Sequence, residues 1–257
     1  MRKMLKYIFL AIVGLSIITS KEFGIVIGVI GLIVLAVSSF KAYDYSNSTY
    51  AKNTHNSYFS QFANAGKSGE YLTFRELEKY ENQGAKFLFN VYVPIGEEKY
   101  TEIDCLMINQ DGFFVIESKN YSGDIYGTAQ EKQWYQWLPT KYYFGKKNYF
   151  YNPIWQNRGH ISHLRRYINY SGNTYSLIVF SNRCTLHFSE NIIEDAYVIY
   201  RSELTRIIDG INANNTNKMS QQQVEILYND LYPLSQATEE IKQKHLKDTK
   251  QKNTCFF

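Results

Sequence analysis

Two long apolar runs open the chain, and alternating apolar and polar positions follow only after a polar stretch. The runs occupy residues 5–19 and 23–40 and are separated by Ser20, Lys21 and Glu22. Because an α-helix rises ~1.5 Å per residue, the second run would be ~27 Å long, close to the ~30 Å hydrocarbon core of a bilayer. Neither run has the polar face that a soluble helix shows. The pattern therefore predicts a membrane anchor.

The N-terminal runs have two interpretations. In the first, both runs cross the bilayer as a transmembrane hairpin within residues 1–41. Three basic residues precede the hairpin and Lys41 follows it, so the positive-inside rule places both ends, and the soluble domain, in the cytoplasm. In the second, residues 1–20 are a cleaved signal peptide, although no small-x-small cleavage site precedes the second run. We expect the hairpin in the cell membrane.

The rest of the chain alternates between helical and strand patterns. Residues 42–68 are polar with scattered aromatic side chains and are interpreted as a juxtamembrane linker, residues 69–234 as the folded domain, and residues 235–257 as a Lys-rich tail. The order is typical of an α/β fold in which helices flank one mixed sheet. The predicted elements are a helix at 70–82, strands at 86–93, 100–109, 113–119, 123–127 and 134–138, a helix from Asn152-Pro153 to about 170, strands at 175–180 and 197–200, and helices at 202–211 and 221–232.

Charge and cysteine content narrow the possible functional classes of the protein and the compartment in which it folds. The net charge of +4 resides in residues 1–41, which hold five basic residues and one acidic residue, so residues 42–257 are neutral. This excludes a globally basic nucleic-acid binder and leaves local patches. Three scattered cysteines argue against a disulfide framework and favour a reducing compartment.

The candidate chemistry lies on a predicted β-hairpin. A turn at Gln110-Asp111-Gly112 places Asp104 opposite Glu117, and Lys119 lies on the same face as Glu117. Two neighbouring carboxylates are unfavourable unless a cation or a proton lies between them, and oxygen ligands of this kind suit Mg²⁺ or Mn²⁺. A surface ladder of charged pairs on an edge hairpin is the alternative.

Two helices carry further candidates. Gln156 follows the helix start at Asn152-Pro153, on the same side as His160 and His163. The two histidines are interpreted as a partly exposed structural pair, since no third zinc ligand is evident. Glu70 is predicted in the first turn of a helix capped by Ser68, where its role is either dipole stabilisation or support of a metal.

Basic and aromatic residues alternate in a third region. These side chains could contact phosphates and stack on bases, or they could be solvated lysines on an aromatic sheet face. The weakly predicted nucleic-acid contacts are Lys141, Lys146, Lys147, Arg158 and Arg165, with Trp134, Tyr135, Trp137, Tyr142 and Tyr143 interleaved near the first three.

Residues 66–170 resemble the nuclease-related domain (NERD) family. The resemblance is carried by Gly69-Glu70, Thr101-Glu102-Ile103-Asp104, the run Phe114 to Gly127 with Glu117-Ser118-Lys119, Trp134, and Asn152-Pro153-Ile154-Trp155-Gln156-Asn157. It implies a restriction-endonuclease-like fold related to the PD-(D/E)xK nucleases. Ile103 stands where the proline of that signature would lie.

The resemblance also implies an activity. The family pattern maps metal binding onto Asp104 and Glu117 with Glu70 in support, and catalytic roles onto these three with Lys119 and Gln156. We therefore expect a membrane-anchored nuclease that uses Mg²⁺ or Mn²⁺ to cleave DNA or RNA. The alternative is a catalytically silent, membrane-tethered module of the same fold that binds nucleic acid or protein.

Overall fold

A computed structural model describes residues 13, 21–139, 145–188, 192–193 and 195–254. The chain divides into two compact units, Met1–Lys52 and Asn53–Phe257. In the first unit, helix α1 spans Lys21–Asn47. Its segment Gly24–Asn47, with a mean hydropathy of 2.4, is long and apolar enough to cross a membrane, a property that membrane anchors and signal sequences share. The first apolar run, and with it half of the predicted hairpin, lies outside the described residues apart from Val13.

The second unit contains a six-stranded mixed sheet in the order β1-β2-β3-β7-β10-β9. Strands β1, β2 and β3 are antiparallel, whereas β3, β7 and β10 run parallel to one another, so their carboxyl ends meet at one edge. The strands are β1 (Lys86–Gly96), β2 (Lys99–Asn109), β3 (Gly112–Lys119), β7 (Thr174–Phe180), β9 (Ile192–Ile193) and β10 (Ala196–Tyr200).

The β2–β3 hairpin has the predicted register. Cys105 pairs with Ile116 and Asn109 with Gly112, the alignment that brings Asp104 next to Glu117. Gly112 in this turn has a φ of +133°, and a Cβ there would lie 2.3 Å from the carbonyl oxygen of Asn173, which precedes β7. Glycine is needed at such a position because other residues are strained at this φ and would collide with the neighbouring backbone.

Strands β4, β5, β6 and β8 form a separate four-stranded sheet, in the order β6-β5-β4-β8. The sequence pattern predicted β4 and β5 within a single sheet and gave no sign of β6 or β8. Trp134 of β5 is fully buried and stacks on Phe180 at the end of β7, with ring centroids 6.2 Å apart. The strands are β4 (Gly123–Tyr126), β5 (Gln133–Leu138), β6 (Lys146–Tyr151) and β8 (Cys184–His187).

Helices of the second unit flank its sheets, which confirms the predicted α/β class. Helix α2 (Thr49–Thr54) crosses the boundary between the units. The bounds of the helices that follow are α3 (Ser60–Ala63), α4 (Ala65–Leu77) followed by a 3₁₀ turn (Glu78–Gln83), α5 (Pro153–Tyr167), a 3₁₀ turn (Arg201–Glu203) leading into α6 (Leu204–Asn214), α7 (Gln221–Ser235) and α8 (Glu239–Thr254). The Lys-rich tail, in which the sequence pattern predicts no element, is helical in α8.

Helix α5 is held firmly where sequence analysis predicted its start. Asn152 Oδ1 accepts the backbone N–H of Ile154, and Pro153 occupies the first turn, where its missing N–H costs nothing. The Asn157 amide donates to the Val115 carbonyl and to Ser176 Oγ, which ties the helix to strands β3 and β7. These contacts determine which side chains of α5 reach the end of the β2–β3 hairpin.

Candidate active site at the end of the hairpin

The predicted carboxylates lie where β2 and β3 cease to pair. Asp104 comes just beyond the last paired residue of the ladder, Cys105, and its Oδ2 accepts the backbone N–H of Ser118 at 3.0 Å. Burial is the largest cause that raises the pKa of Asp104 well above its usual value, and the neighbouring carboxylates Glu117 and Glu70 raise it further. The ionised form of Asp104 therefore lacks sufficient positive charge around it.

Glu117 is buried, with 2% of its side chain exposed. Its Oε1 accepts from Lys119 Nζ at 2.5 Å, whereas its Oε2 is buried without a hydrogen-bond partner. Burial opposes ionisation, but the charge of Lys119 and then contact with His160 hold the pKa of Glu117 below its usual value. A buried carboxylate excludes the alternative of a solvated surface ladder at this position.

Lys119 and Gln156 meet across the gap between β3 and α5. Lys119 Nζ donates to Gln156 Oε1 at 3.3 Å as well as to Glu117. Burial would lower the pKa of Lys119, but the charge of Glu117 outweighs it and raises that pKa. Lys119 is thus a cation whose ammonium group is oriented by two acceptors.

Glu70 lies on α4, close enough to Asp104 to raise its pKa. The predicted position of Glu70 in a first helical turn is wrong. Helix α4 begins at Ala65 because Asn64 Oδ1 accepts the N–H groups of Gly66 and Lys67, so no acidic residue occupies the first turn. The helix begins after Asn64 rather than after Ser68 because the Asn64 side chain satisfies two backbone N–H groups that would otherwise be unpaired.

Gly69 explains how closely α4 approaches the end of β3. A Cβ at this position would lie 2.6 Å from Asn120 Cβ and 3.4 Å from Ser118 Oγ. Thr73, one helical turn later, contacts Ser118 Oγ at 3.0 Å. The absence of a side chain at Gly69 therefore permits the approach that carries the next residue, Glu70, toward Asp104.

His160 is a functional candidate that sequence analysis undervalued. The interpretation of His160 as half of a partly exposed pair is wrong, because it is 5% exposed and its Nε2 lies 3.4 Å from Glu117 Oε2. Its Nδ1 is hydrogen-bonded to Thr101 Oγ1 at 2.6 Å, whereas His163 is only half-buried. The signal was present in the spacing, since His160 follows Gln156 by one helical turn.

The donor set is compatible with a divalent cation that keeps part of its water shell. Among the described residues, no three His, Cys, Asp or Glu side chains are grouped closely enough to enclose a metal ion. Two carboxylates remain: Asp104, whose ionised form needs positive charge, and Glu117, whose Oε2 makes no close hydrogen bond and lies 3.4 Å from His160 Nε2. Mg²⁺ commonly binds through one or two carboxylates together with water and phosphate oxygens. Asp104 and Glu117 therefore fit such an ion.

The predicted basic patch is only partly brought together. Lys141 lies outside the described residues, whereas Lys146 and Lys147 are exposed on β6. Lys147 Nζ lies 4.4 Å from the ring centroid of Tyr135. Arg158 makes two 2.6 Å hydrogen bonds to Asp195, and Arg165 donates to the Gly172 carbonyl at the other end of α5. Ion pairing offsets the charge of Arg158, so the patch is weaker than its composition suggested.

Comparison with known proteins identifies the family. The model of the family described as NERD, nuclease-related domain, matches residues 65–181. An uncharacterized protein of Bacillus anthracis is 30% identical over 182 residues, covering 71% of this chain and 82% of that protein. The chain belongs to the NERD family. The family is part of the restriction-endonuclease-like superfamily, in agreement with the mixed sheet flanked by helices. No solved structure matches the chain.

The NERD match encloses all five predicted catalytic positions. The structure brings four of them together and places the fifth on the helix that packs beside them. The first four are Asp104, Glu117, Lys119 and Gln156, and the fifth is Glu70. Membership of the NERD family points to a nuclease-related function.

Proposed function

We propose that this protein is a divalent-metal-dependent nuclease that cleaves phosphodiester bonds in nucleic acid. The observation that carries the proposal is the buried carboxylate of Glu117 beside Asp104, with Oε1 bound by Lys119 and Oε2 facing His160 Nε2 at 3.4 Å, longer than an ordinary hydrogen bond. Buried polar groups are nearly always satisfied, and a poorly satisfied carboxylate oxygen is costly. A cation at this position would remove that cost, and NERD membership supplies the class of reaction.

Asp104 and Glu117 would hold the ion, and Glu70 would support it from α4. When bound, the metal would polarise a phosphate oxygen and stabilise the charge that develops during hydrolysis. Asp104 is suited to this role because burial, Glu117 and Glu70 all disfavour its ionised form in the absence of a cation. The repulsion between these carboxylates therefore favours metal binding.

Lys119 would act on the substrate side of the site. Its ammonium group is directed by Glu117 Oε1 and Gln156 Oε1, and its raised pKa keeps it protonated at neutral pH. A protonated lysine stabilises charge on a phosphate and orients a water molecule, but it does not remove a proton. Gln156 is thereby assigned to positioning the lysine.

The protein is proposed to act at the inner face of the cell membrane. Helix α1 supplies an apolar segment of sufficient length, and the basic residues around the two N-terminal runs favour a cytoplasmic soluble domain. The proposed organisation is an anchor at 1–41, a linker at 42–68, the nuclease domain at 69–234 and the tail at 235–257. Nucleic acid would be a partner of the domain and the bilayer a partner of the anchor.

The test is cleavage of labelled DNA and RNA, single- and double-stranded, by the full chain in detergent with Mg²⁺, Mn²⁺ or EDTA. Asp104→Asn and Glu117→Gln should each reduce the rate at least ~100-fold, since loss of several kcal/mol of charge stabilisation corresponds to that factor. The control is Glu225→Gln, whose carboxylate forms an ion pair with Lys86 far from the hairpin end in sequence.

Each outcome has a distinct meaning. Metal-dependent cleavage that Glu225→Gln retains and both site variants lose supports the nuclease. Cleavage that survives Asp104→Asn indicates a contaminating enzyme and contradicts the assignment. Binding of nucleic acid without cleavage by the wild type would favour the silent binding module instead.

A further inference from the structure

Arg201 is a buried arginine that the proposed catalytic site does not use. It begins the 3₁₀ turn after β10 and is 9% exposed. Its Nε donates to Thr73 Oγ1 at 3.3 Å, whereas one terminal nitrogen is buried without any hydrogen-bond partner. A guanidinium group placed so deeply normally has a carboxylate or phosphate acceptor, because an unpaired buried charge is costly.

Arg183 carries a second positive charge close to Arg201. It lies in the turn after β7 and donates to three neutral oxygens: Ser181 Oγ at 3.2 Å, and the carbonyl and side-chain oxygens of Asn120 at 3.1 Å each. Arg183 is exposed, so it is accessible from solvent. These contacts hold its guanidinium group in place without neutralising it.

Within the part of the chain that the structure describes, neither arginine forms an ion pair with a carboxylate. Burial lowers the pKa of Arg201. The charge of Glu76, which lies beyond ion-pair distance, opposes this effect, and repulsion by Arg183 adds to it by less than Glu76 opposes it. By contrast, Arg206, five residues after Arg201, is paired with Glu203 at 3.0 Å.

The position of the pair connects it with the catalytic candidates. Arg183 and Arg201 follow β7 and β10, and Lys119 ends β3, so all three lie at the shared carboxyl edge of the parallel strands. Ligands of α/β sheets bind at this edge. The Ser181 N–H donates to the Lys119 carbonyl, and Arg183 contacts Asn120, the residue that follows Lys119. Both arginines lie outside the family match at residues 65–181.

We propose that Arg183 and Arg201 form a phosphate-binding subsite that holds a backbone phosphate of the nucleic-acid strand next to the bond cleaved at Lys119. This inference rests on the proposed nuclease function and adds a substrate contact to it. Planar guanidinium groups bind phosphate through paired hydrogen bonds, and such contacts set the register of a strand without reading its sequence. The subsite would give a domain of no net charge a local contact for nucleic acid.

The test separates binding from cleavage. Full-length protein in detergent and EDTA is titrated with a fluorescein-labelled single strand of about 20 nucleotides, longer than a typical single-strand site, and anisotropy is measured from about 50 to 200 mM KCl. Arg183→Gln should weaken binding about tenfold or more, as expected for a lost charged hydrogen bond. It should also reduce the slope of log K against log salt by about 0.7, the value for one phosphate on a single strand.

Three variants distinguish the subsite from a structural brace. Arg183→Lys should restore the salt slope but only part of the affinity, because the charge returns without the forked donors. Arg206→Gln, which removes an arginine 69% exposed and paired with Glu203, should leave both quantities unchanged. Arg201→Lys, which keeps the charge, should weaken binding if it remains folded by circular dichroism. Inorganic phosphate should compete with the oligonucleotide for the wild type but not for Arg183→Gln.

An unchanged affinity and salt slope in Arg183→Gln would overturn the subsite, as would a wild type that does not bind nucleic acid. If Arg183→Gln lowers only the melting temperature, the residue is a structural brace and the inference is wrong. The nuclease proposal fails independently. If Arg183→Gln reduces the salt slope but the wild type cleaves nothing, the subsite is supported and the nuclease is not. If Arg183→Gln binds like the wild type and both cleave, only the nuclease is supported.

Discussion

Lys119→Met tests the electrostatics of the candidate site without requiring any activity. At 2.5 Å between Lys119 Nζ and Glu117 Oε1, the attraction is about 6–7 kcal/mol for an effective dielectric constant of about 20. The cost of removing both charges from water offsets part of this gain, so breaking a buried pair from one side costs about 3–5 kcal/mol. His160 Nε2 remains 3.4 Å from Glu117 Oε2, which places the expected loss near the lower value.

The assay is chemical and thermal unfolding of the full chain in detergent and EDTA, followed by tryptophan fluorescence. A loss of about 3 kcal/mol would be a large share of the 5–15 kcal/mol that stabilises a typical domain. Lys79→Met is the matched control, since its ion pair with Asp209 at 3.0 Å is about half exposed and should contribute less than about 1 kcal/mol. Equal destabilisation by the two variants would refute the reasoning.

The pH dependence gives a second check on Lys119→Met. In the wild type, the pKa of Glu117 is below its usual value, so its ionisation stabilises the fold above about pH 4.3 and that stabilisation is lost as the pH falls. Without Lys119, burial dominates and the buried carboxylate becomes destabilising at neutral pH. The difference in unfolding free energy between wild type and variant should therefore be largest near pH 7 and shrink below about pH 4.

Two further substitutions test other parts of the site. Asp104→Asn should stabilise the metal-free protein near pH 7 but not near pH 4, because the raised pKa of Asp104 means that wild-type stability falls as pH rises above about 3.9. Melting temperatures of both proteins measured in EDTA between about pH 4 and 7 check this prediction. A difference in melting temperature that does not change with pH would contradict it. Gly69→Ala should cost about 1–3 kcal/mol and displace Glu70, since its Cβ would lie 2.6 Å from Asn120 Cβ. The control Gly159→Ala, on α5 with no atom within 4 Å of the added Cβ, should instead stabilise the helix by up to about 1 kcal/mol.

The central hairpin could be predicted because its determinants are local. Alternation, turn residues and a glycine with positive φ specify the β2–β3 register, and that register places Asp104, Glu117 and Lys119 together. The start of α5 was equally readable, since Asn152 and Pro153 act within one helical turn. The α/β class followed from the order of such elements.

Elements with weak local signals were missed. In β6, neither face of the strand is consistently apolar, and β8 has only four residues. Their strand structure therefore depends on pairing with β5 and β4. Strand preference depends strongly on such neighbours. The second sheet is therefore a property of the assembled fold.

The sequence by itself determined the fold class, the apolar N-terminal segments, the register of the hairpin and the identity of the five candidate catalytic residues. The tertiary structure alone decided that His160 is buried against Glu117, that Arg158 is paired with Asp195, and that Arg183 and Arg201 share an edge with Lys119. The physical reason is the distance along the chain over which each interaction acts. Periodicity and turn chemistry act over a few residues, whereas burial and charge pairing depend on groups brought together from distant parts of the chain.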